Sequence, residues 1–241
     1  MFSEKISSFE EGQVLLFDKP LYWTSFDLVN KVRIIIRSAL GLKKIKTGHA
    51  GTLDPLAKGL MIICTGKATK RIDEFRDLDK EYIATIHLGE TTPSYDLETE
   101  INGRFPVEHI TESLVITALN SFLGEQKQVP PLHSAKMIEG KRAYEFARKG
   151  IQKEMNPVTI YFREAELLSF GIPDITVRIT CSKGTYIRSF ARDLGLALGS
   201  GACLSHLERT AIGPYLLKNA FSLGKFENFI KDLKQNGNLY V

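Results

Sequence analysis

The sequence predicts an α+β fold, a mixed and largely antiparallel sheet with flanking helices. Two stretches, 82–88 and 175–181, alternate apolar with polar residues, as strands do when only one face is buried. Segments with helical spacing lie between the strands, and no apolar run has the two-faced look of a parallel sheet. No repeat of 20–50 residues and no Gly/Ser/Pro linker divides the chain, so one unit spanning 1–241 is expected.

Val14 to Phe17 is a short apolar run followed by Asp-Lys-Pro, a strand that stops at Pro20. Ser25 is placed to cap a helix whose apolar positions are Leu28, Val29, Val32, Ile35, Ile36, Ala39 and Leu40, closed by Gly41. Tyr82, Ala84, Ile86 and Leu88 form one face of the strand 82–88. Thr111 opens a second helix with Leu114, Val115, Ala118, Leu119, Phe122 and Leu123 on its apolar face, ending at Gly124. Ile175, Val177, Ile179 and Cys181 form the inner face of a further strand. After Gly184, a third helix carries Ile187, Phe190, Ala191, Leu194, Ala197 and Leu198, and 221–233 reads as a terminal helix.

Of the 241 residues, 43% are hydrophobic, 25% charged and 10% aromatic, which excludes collagen-like, low-complexity and disordered classes. No apolar stretch approaches the roughly 20 residues of a membrane-spanning helix. The segment from Met1 to Gly12 lacks the apolar centre of a secretory signal. Three widely spaced cysteines, Cys64, Cys181 and Cys203, make no disulfide framework, and a cytoplasmic location is expected. The net charge of +4 is unevenly placed. Gly41 to Arg71 holds seven Lys/Arg against the single acid Asp54, whereas Ile72 to Glu112 holds eleven acids against three bases. A second basic cluster comprises Lys141, Arg142, Arg148, Lys149 and Lys153. Such patches suit a phosphate-binding face, although solvated surface lysines give the same pattern.

Cofactor motifs fail on inspection. The run from Cys64 to Thr69 looks like a phosphate loop, but Met61 stands where Gly is needed and Ala68 where a hydroxyl is needed. Gly199-Ser200-Gly201 follows a helix and lacks the third Gly of a dinucleotide site. Cys203 and His206 have no second pair of metal ligands, so no metal and no cofactor are expected. The informative stretch is Gly48-His49-Ala50-Gly51-Thr52-Leu53-Asp54-Pro55, continuing through Lys58 and Gly59. It sets one carboxylate among small residues in the most cationic part of the chain. Its glycines permit close approach by a ligand, and Pro55 restricts the backbone beside Asp54. Ordinary turn chemistry accounts for the same residues.

This stretch resembles the signature of the bacterial tRNA pseudouridine-55 synthases, the TruB-type family. Lys19-Pro20 with Thr24-Ser25 is similar to the family's upstream element, except that Tyr22 stands where Gly is usual. Lys80-Glu81-Tyr82 with Leu88-Gly89 resembles its central strand, followed by Asp96. Val129-Pro130-Pro131, Ser134-Ala135 and Gly140 to Tyr144 resemble an RNA-gripping insertion, here about 125–156. Cys181 to Arg188 with Asp193-Leu194-Gly195, then Leu207 and Arg209, resemble the closing motifs.

The resemblance implies a single catalytic domain of the pseudouridine synthase fold over 1–241, with a central RNA-binding cleft. The short extension of about 214–241 is too small for the C-terminal PUA module of typical members, so no full PUA domain is expected. The implied reaction isomerises uridine 55 in the T loop of tRNA. The N1–C1′ bond breaks, the uracil turns and it rejoins through C5. Asp54 is then the essential carboxylate, attacking C1′ or C6 or assisting a glycal route. Arg188 pairs with it, and Tyr82 packs on the base and serves as base for the C5 proton. His49 fills the space left by flipped nucleotides, and Tyr186 and Leu207 line the uracil pocket. Lys19 and Lys183 are structural or phosphate-facing, Asp96 lies near the cleft, and Lys141 and Arg142 grip RNA. The implied partner is the tRNA T-stem loop, acted on by a monomer with no guide RNA, membrane or obligatory protein partner. An alternative reading is a tRNA-folding chaperone whose binding outweighs its catalysis.

Overall fold

The computed structural model describes residues 8–235. Its main elements run β1 (Val14–Lys19), α1 (Ser25–Leu40), β2 (Thr47–His49), β3 (Ala57–Thr65) and β4 (Lys80–Leu88). They continue with α2 (Glu112–Ser121), β5 (Gly124–Gln128), β6 (Val158–Gly171), β7 (Asp174–Cys181) and α3 (Ile187–Ala197). β8 (Ala202–Ile212), β9 (Tyr215–Leu216) and α4 (Leu223–Gln235) follow, the last ending the described residues. The expected α+β class is the one observed, with every strand pairing whose register is defined antiparallel.

Two compact units emerge, one formed by the described residues up to Lys80 together with those from Glu208 onward, the other by Glu81–Leu207. In the first, β1 runs antiparallel to β3 from Val14 opposite Cys64 to Lys19 opposite Gly59, and β2 pairs with the far half of β3. β3 is buried along nearly its whole length, so its sequence is a solid apolar run. Leu16, Ala50, Leu60, Ile62, Phe75 and Ile212 form one side of the core. Phe17 packs edge-on against Phe226 of α4, with ring centroids 4.9 Å apart. α1 buries Leu28, Val29, Val32, Ile36 and Ala39 and ends at Gly41, which adopts the left-handed conformation expected of a C-terminal glycine.

The helix cap differs from expectation. Thr24 is the N-cap, its side chain accepting from the Asp27 N–H while the Asp27 carboxylate accepts from the Thr24 N–H. Ser25 is one residue too late and is buried for a different purpose, described below.

In the second unit the strand order is β4–β7–β6–β5. Tyr82, Ala84, Ile86 and Leu88 face inward on β4, and Ile175, Val177, Ile179 and Cys181 on β7, as the alternation required. α2 starts at the Thr111 cap, but it buries only Val115, Ala118 and Leu119. Leu114 and Leu123 are exposed, because the helix ends at Ser121 and presents a narrower face than its sequence suggests. On α3 Ala197 is likewise exposed, whereas Arg188 is buried. Phe190 of α3 sits 5.1 Å from Phe122 and 5.2 Å from Phe162, closing this core. The residues before Ser8 and the end of the extension after Gln235 lie outside the described residues, as does part of the N-terminal segment read above.

Candidate active site

Asp54 lies half-buried on the turn between β2 and β3. The turn is closed by the Ala57 N–H donating to the Asp54 carbonyl at 3.1 Å. Two neighbours fix the backbone around it. The Ser25 hydroxyl donates to the Leu53 carbonyl at 2.9 Å and accepts from the Leu53 N–H at 2.8 Å, so one buried side chain satisfies both polar groups of the residue before Asp54. The Tyr22 N–H donates to the Pro55 carbonyl at 2.8 Å, tying the residue after it. Arg209, 1% exposed, donates to the Leu60 carbonyl at 2.7 Å and to the Gly51 carbonyl at 3.2 Å.

The loop glycines serve the protein's own packing here. Gly59 has φ of +104°, and a Cβ there would lie 2.4 Å from the Arg209 carbonyl oxygen. Gly51 has φ of +124° beside the same arginine. Gly48 leaves room for the Ile72 side chain. The close approach read from the sequence is therefore made, at Gly59 and Gly48, by Arg209 and Ile72 from within the fold.

Lys19 is fully buried at the end of β1, and its ammonium donates to the carbonyls of Pro20 at 3.0 Å and Trp23 at 2.6 Å. Burial pushes its pKa down to about 8, opposed by attraction to the Asp54 carboxylate and reinforced by repulsion from Arg209. Of the two roles considered for Lys19, the structural one fits this geometry. His49 is half-buried on β2. Its imidazole is pushed towards the neutral form, mainly by burial, against the hydrogen-bonding influence of the Gly51 backbone and with Arg209 adding repulsion.

The second unit holds the other expected residues. Arg188, in the first turn of α3, is only 4% exposed, so it is no surface arginine. Its guanidinium donates to the His133 carbonyl at 2.9 Å and the Ser94 carbonyl at 3.3 Å, and its Nε lies 3.6 Å from the Asp96 carboxylate. Asp96 is itself 3% exposed and accepts from the Glu98 N–H at 3.0 Å. Ion pair and carbonyl acceptors together compensate a cation that burial alone would disfavour. Arg192, one turn on along α3, stacks over the Tyr95 ring at 4.7 Å.

Tyr82 and Leu207 are buried, whereas Tyr186 is half-buried as the N-cap of α3. Gln128, 3% exposed, holds Tyr186 in place: its amide oxygen accepts from the Tyr186 N–H at 2.8 Å and its amide nitrogen donates to the Tyr186 carbonyl at 3.1 Å. Lys183 is exposed on the turn before α3. Lys141 and Arg142 form one arm of a two-residue hairpin with Met137–Ile138, turned through Glu139 and Gly140, both with positive φ. Both basic side chains are exposed, and Arg142 also donates to the Ala135 carbonyl.

Ser25 and Gln128 were not read as functional. A buried hydroxyl or amide that clamps a distant backbone leaves no periodic signal, and Ser25 stood where a helix cap was sought. Among the described residues, no group of three or more His, Cys, Asp or Glu is placed to hold a metal ion. No described helix is long and apolar enough to cross a membrane. The three cysteines are buried and unbridged, with burial pushing the Cys64 and Cys203 thiols up to about 11.

The class follows from comparison with known families: residues 37–187 match the model for the TruB family pseudouridylate synthase (N terminal domain). The chain is 56% identical over 223 residues to a tRNA pseudouridine synthase B of Phocaeicola vulgatus, covering 92% of this chain and 95% of the relative. A tRNA pseudouridine synthase B of Flavobacterium johnsoniae is 51% identical over 222 residues, covering 92% and 97%. Among solved structures, a chain of a Cbf5-Nop10-Gar1 complex superposes with a TM-score of 0.73 at 28% identity, covering 96% of this chain. A chain of an H/ACA RNP bound to a substrate RNA containing 2′-deoxyuridine gives 0.68 at 26% identity. This chain spans only 58% and 57% of those two solved chains. The chain belongs to the TruB family of pseudouridylate synthases.

Proposed function

We propose that this protein isomerises uridine 55 in the T loop of tRNA to pseudouridine, with Asp54 as its essential carboxylate. The observation that carries the reading is Asp54 itself: the single acid of the cationic segment from Gly41 to Arg71, on a turn whose backbone is clamped at Gly51, Leu53 and Pro55. A carboxylate carried on a fixed turn is held in position, as bond cleavage at C1′ or addition at C6 requires. The tRNA substrate is supported by relatives named tRNA pseudouridine synthase B over nearly their whole length.

Arg188 orients the reacting carboxylate and ribose, its guanidinium pre-set by Asp96, Ser94 and His133. Tyr82 packs on the uracil and takes the C5 proton, while Tyr186 and Leu207 line the base pocket. The depressed basicity of His49 suits a neutral ring that occupies the place of an extruded nucleotide. Lys141, Arg142 and Lys183 contact phosphates, so binding weakens as salt rises. In this reading no guide RNA, metal or second subunit takes part. The test is tritium release from a [5-³H]uridine-labelled tRNA transcript in the absence of any other RNA or protein. Release from the native transcript and none attributable to position 55 when uridine 55 is replaced by cytidine is the expected result. Equal release from both transcripts refutes the assignment of position 55.

A further inference from the structure

Residues 22–26 carry two large rings that the core does not use. Tyr22 is 75% exposed and Phe26 65% exposed, the two most exposed aromatic rings among the described large hydrophobics. Tyr22 has φ of +66°, the left-handed region that favours glycine and disfavours a side chain with a Cβ. A glycine here would build the same turn without strain. The turn therefore explains the backbone conformation but not the ring.

The segment is stapled to the Asp54 turn at two points. The Tyr22 N–H binds the Pro55 carbonyl and the Ser25 hydroxyl binds both polar groups of Leu53, so the backbone carrying the two rings is registered against residues 53–55. The capping box of Thr24 and Asp27 fixes the turn between the rings. Exposed rings registered against the Asp54 turn match the chemistry of an unpaired nucleic-acid base, which presents a flat π-face.

We propose that Tyr22 and Phe26 form a stacking platform for an unpaired base of the RNA substrate next to the nucleotide that Asp54 acts on. This rests on the reading of the protein as a tRNA-modifying enzyme. The platform adds a binding contact outside the uracil pocket and tolerates any base, since stacking does not read the hydrogen-bonding edge.

The test compares wild type with Tyr22→Gly, Tyr22→Phe and Phe26→Ala on a T-stem-loop RNA and on versions with single abasic residues in the loop. Tyr22→Gly removes the ring and also the backbone strain, so its melting temperature is expected to be no lower than that of wild type. Its KM on intact RNA is expected to rise about 10-fold, and that of Phe26→Ala about 5-fold, with kcat little changed. Tyr22→Phe retains the ring face and is expected to stay within about 2-fold of wild type. On the RNA that lacks the stacked base, wild type and Tyr22→Gly are expected to converge. Unchanged KM for both ring deletions overturns the proposal while leaving the enzyme reading intact, as does an equal penalty on every abasic RNA. A wild-type protein that neither binds nor modifies the intact RNA overturns the functional reading and this proposal with it.

Discussion

Ser25→Ala tests whether the Asp54 turn is held from outside. Ser25 is 4% exposed, as is Leu53, and the hydroxyl both donates to and accepts from the Leu53 backbone at 2.8–2.9 Å. Alanine removes both partners and strands a buried N–H and a buried C=O, each costing about 1–3 kcal/mol. Thr52 is exposed next door, so water reaches part of the site and the lower half of that range applies. The expected loss is about 2–4 kcal/mol in urea-induced unfolding. In a chain of this size that corresponds to a drop of about 5–12 °C in melting temperature. A carboxylate displaced by a fraction of an ångström loses reactivity more than affinity. Single-turnover isomerisation is therefore expected to fall at least about 10-fold while RNA binding changes by less than about 2-fold. A variant as stable as wild type within about 0.5 kcal/mol, with unchanged turnover, refutes the clamp.

Gln128→Ala is the corresponding test in the other unit. It strands the Tyr186 backbone groups and is expected to cost about 2–3 kcal/mol, measured by urea unfolding, with slower turnover because Arg188 follows two residues later. Arg188→Met leaves the Asp96 carboxylate buried without its cation, a loss of about 3–5 kcal/mol by the same measurement. Lys19 gives a pH signature. With a folded pKa of about 8 against 10.5 for the free side chain, the unfolded chain binds more protons between those values, so stability rises with pH across that window. Wild type is therefore expected to gain about 1–2 kcal/mol on Lys19→Met between pH 7.5 and 9.5, followed by unfolding at each pH.

The parts of the fold visible in the sequence were those in which one face does the burying. β4 and β7 alternate because one side meets the core, and α1 shows its stripe and its closing Gly41 for the same reason. β3 passed unread as a strand because it is buried on both faces and offers no period. β6 was missed for the opposite reason, its outer half being largely exposed. On α3 the burial of Arg188 is set by Asp96 and two carbonyls far off in sequence, which no local pattern encodes. Asp54, by contrast, was legible from its charge context and its motif alone. The residues that hold it, Ser25 and Arg209, act on backbone groups 28 and 158 positions away, and only the folded chain displays those bonds.

The central claim is that Asp54 carries out the isomerisation of a tRNA uridine. The most direct measurement is the single-turnover rate of tritium release for Asp54→Asn against wild type, with enzyme in excess over a [5-³H]uridine-labelled tRNA and with bound RNA measured in the same samples. Asparagine keeps the shape of the side chain and removes its charge and nucleophilicity. Bound RNA within about 3-fold of wild type and release slowed by at least about 10²-fold is the expected result. Release at the wild-type rate from Asp54→Asn contradicts the account, and assigns the chemistry to another residue.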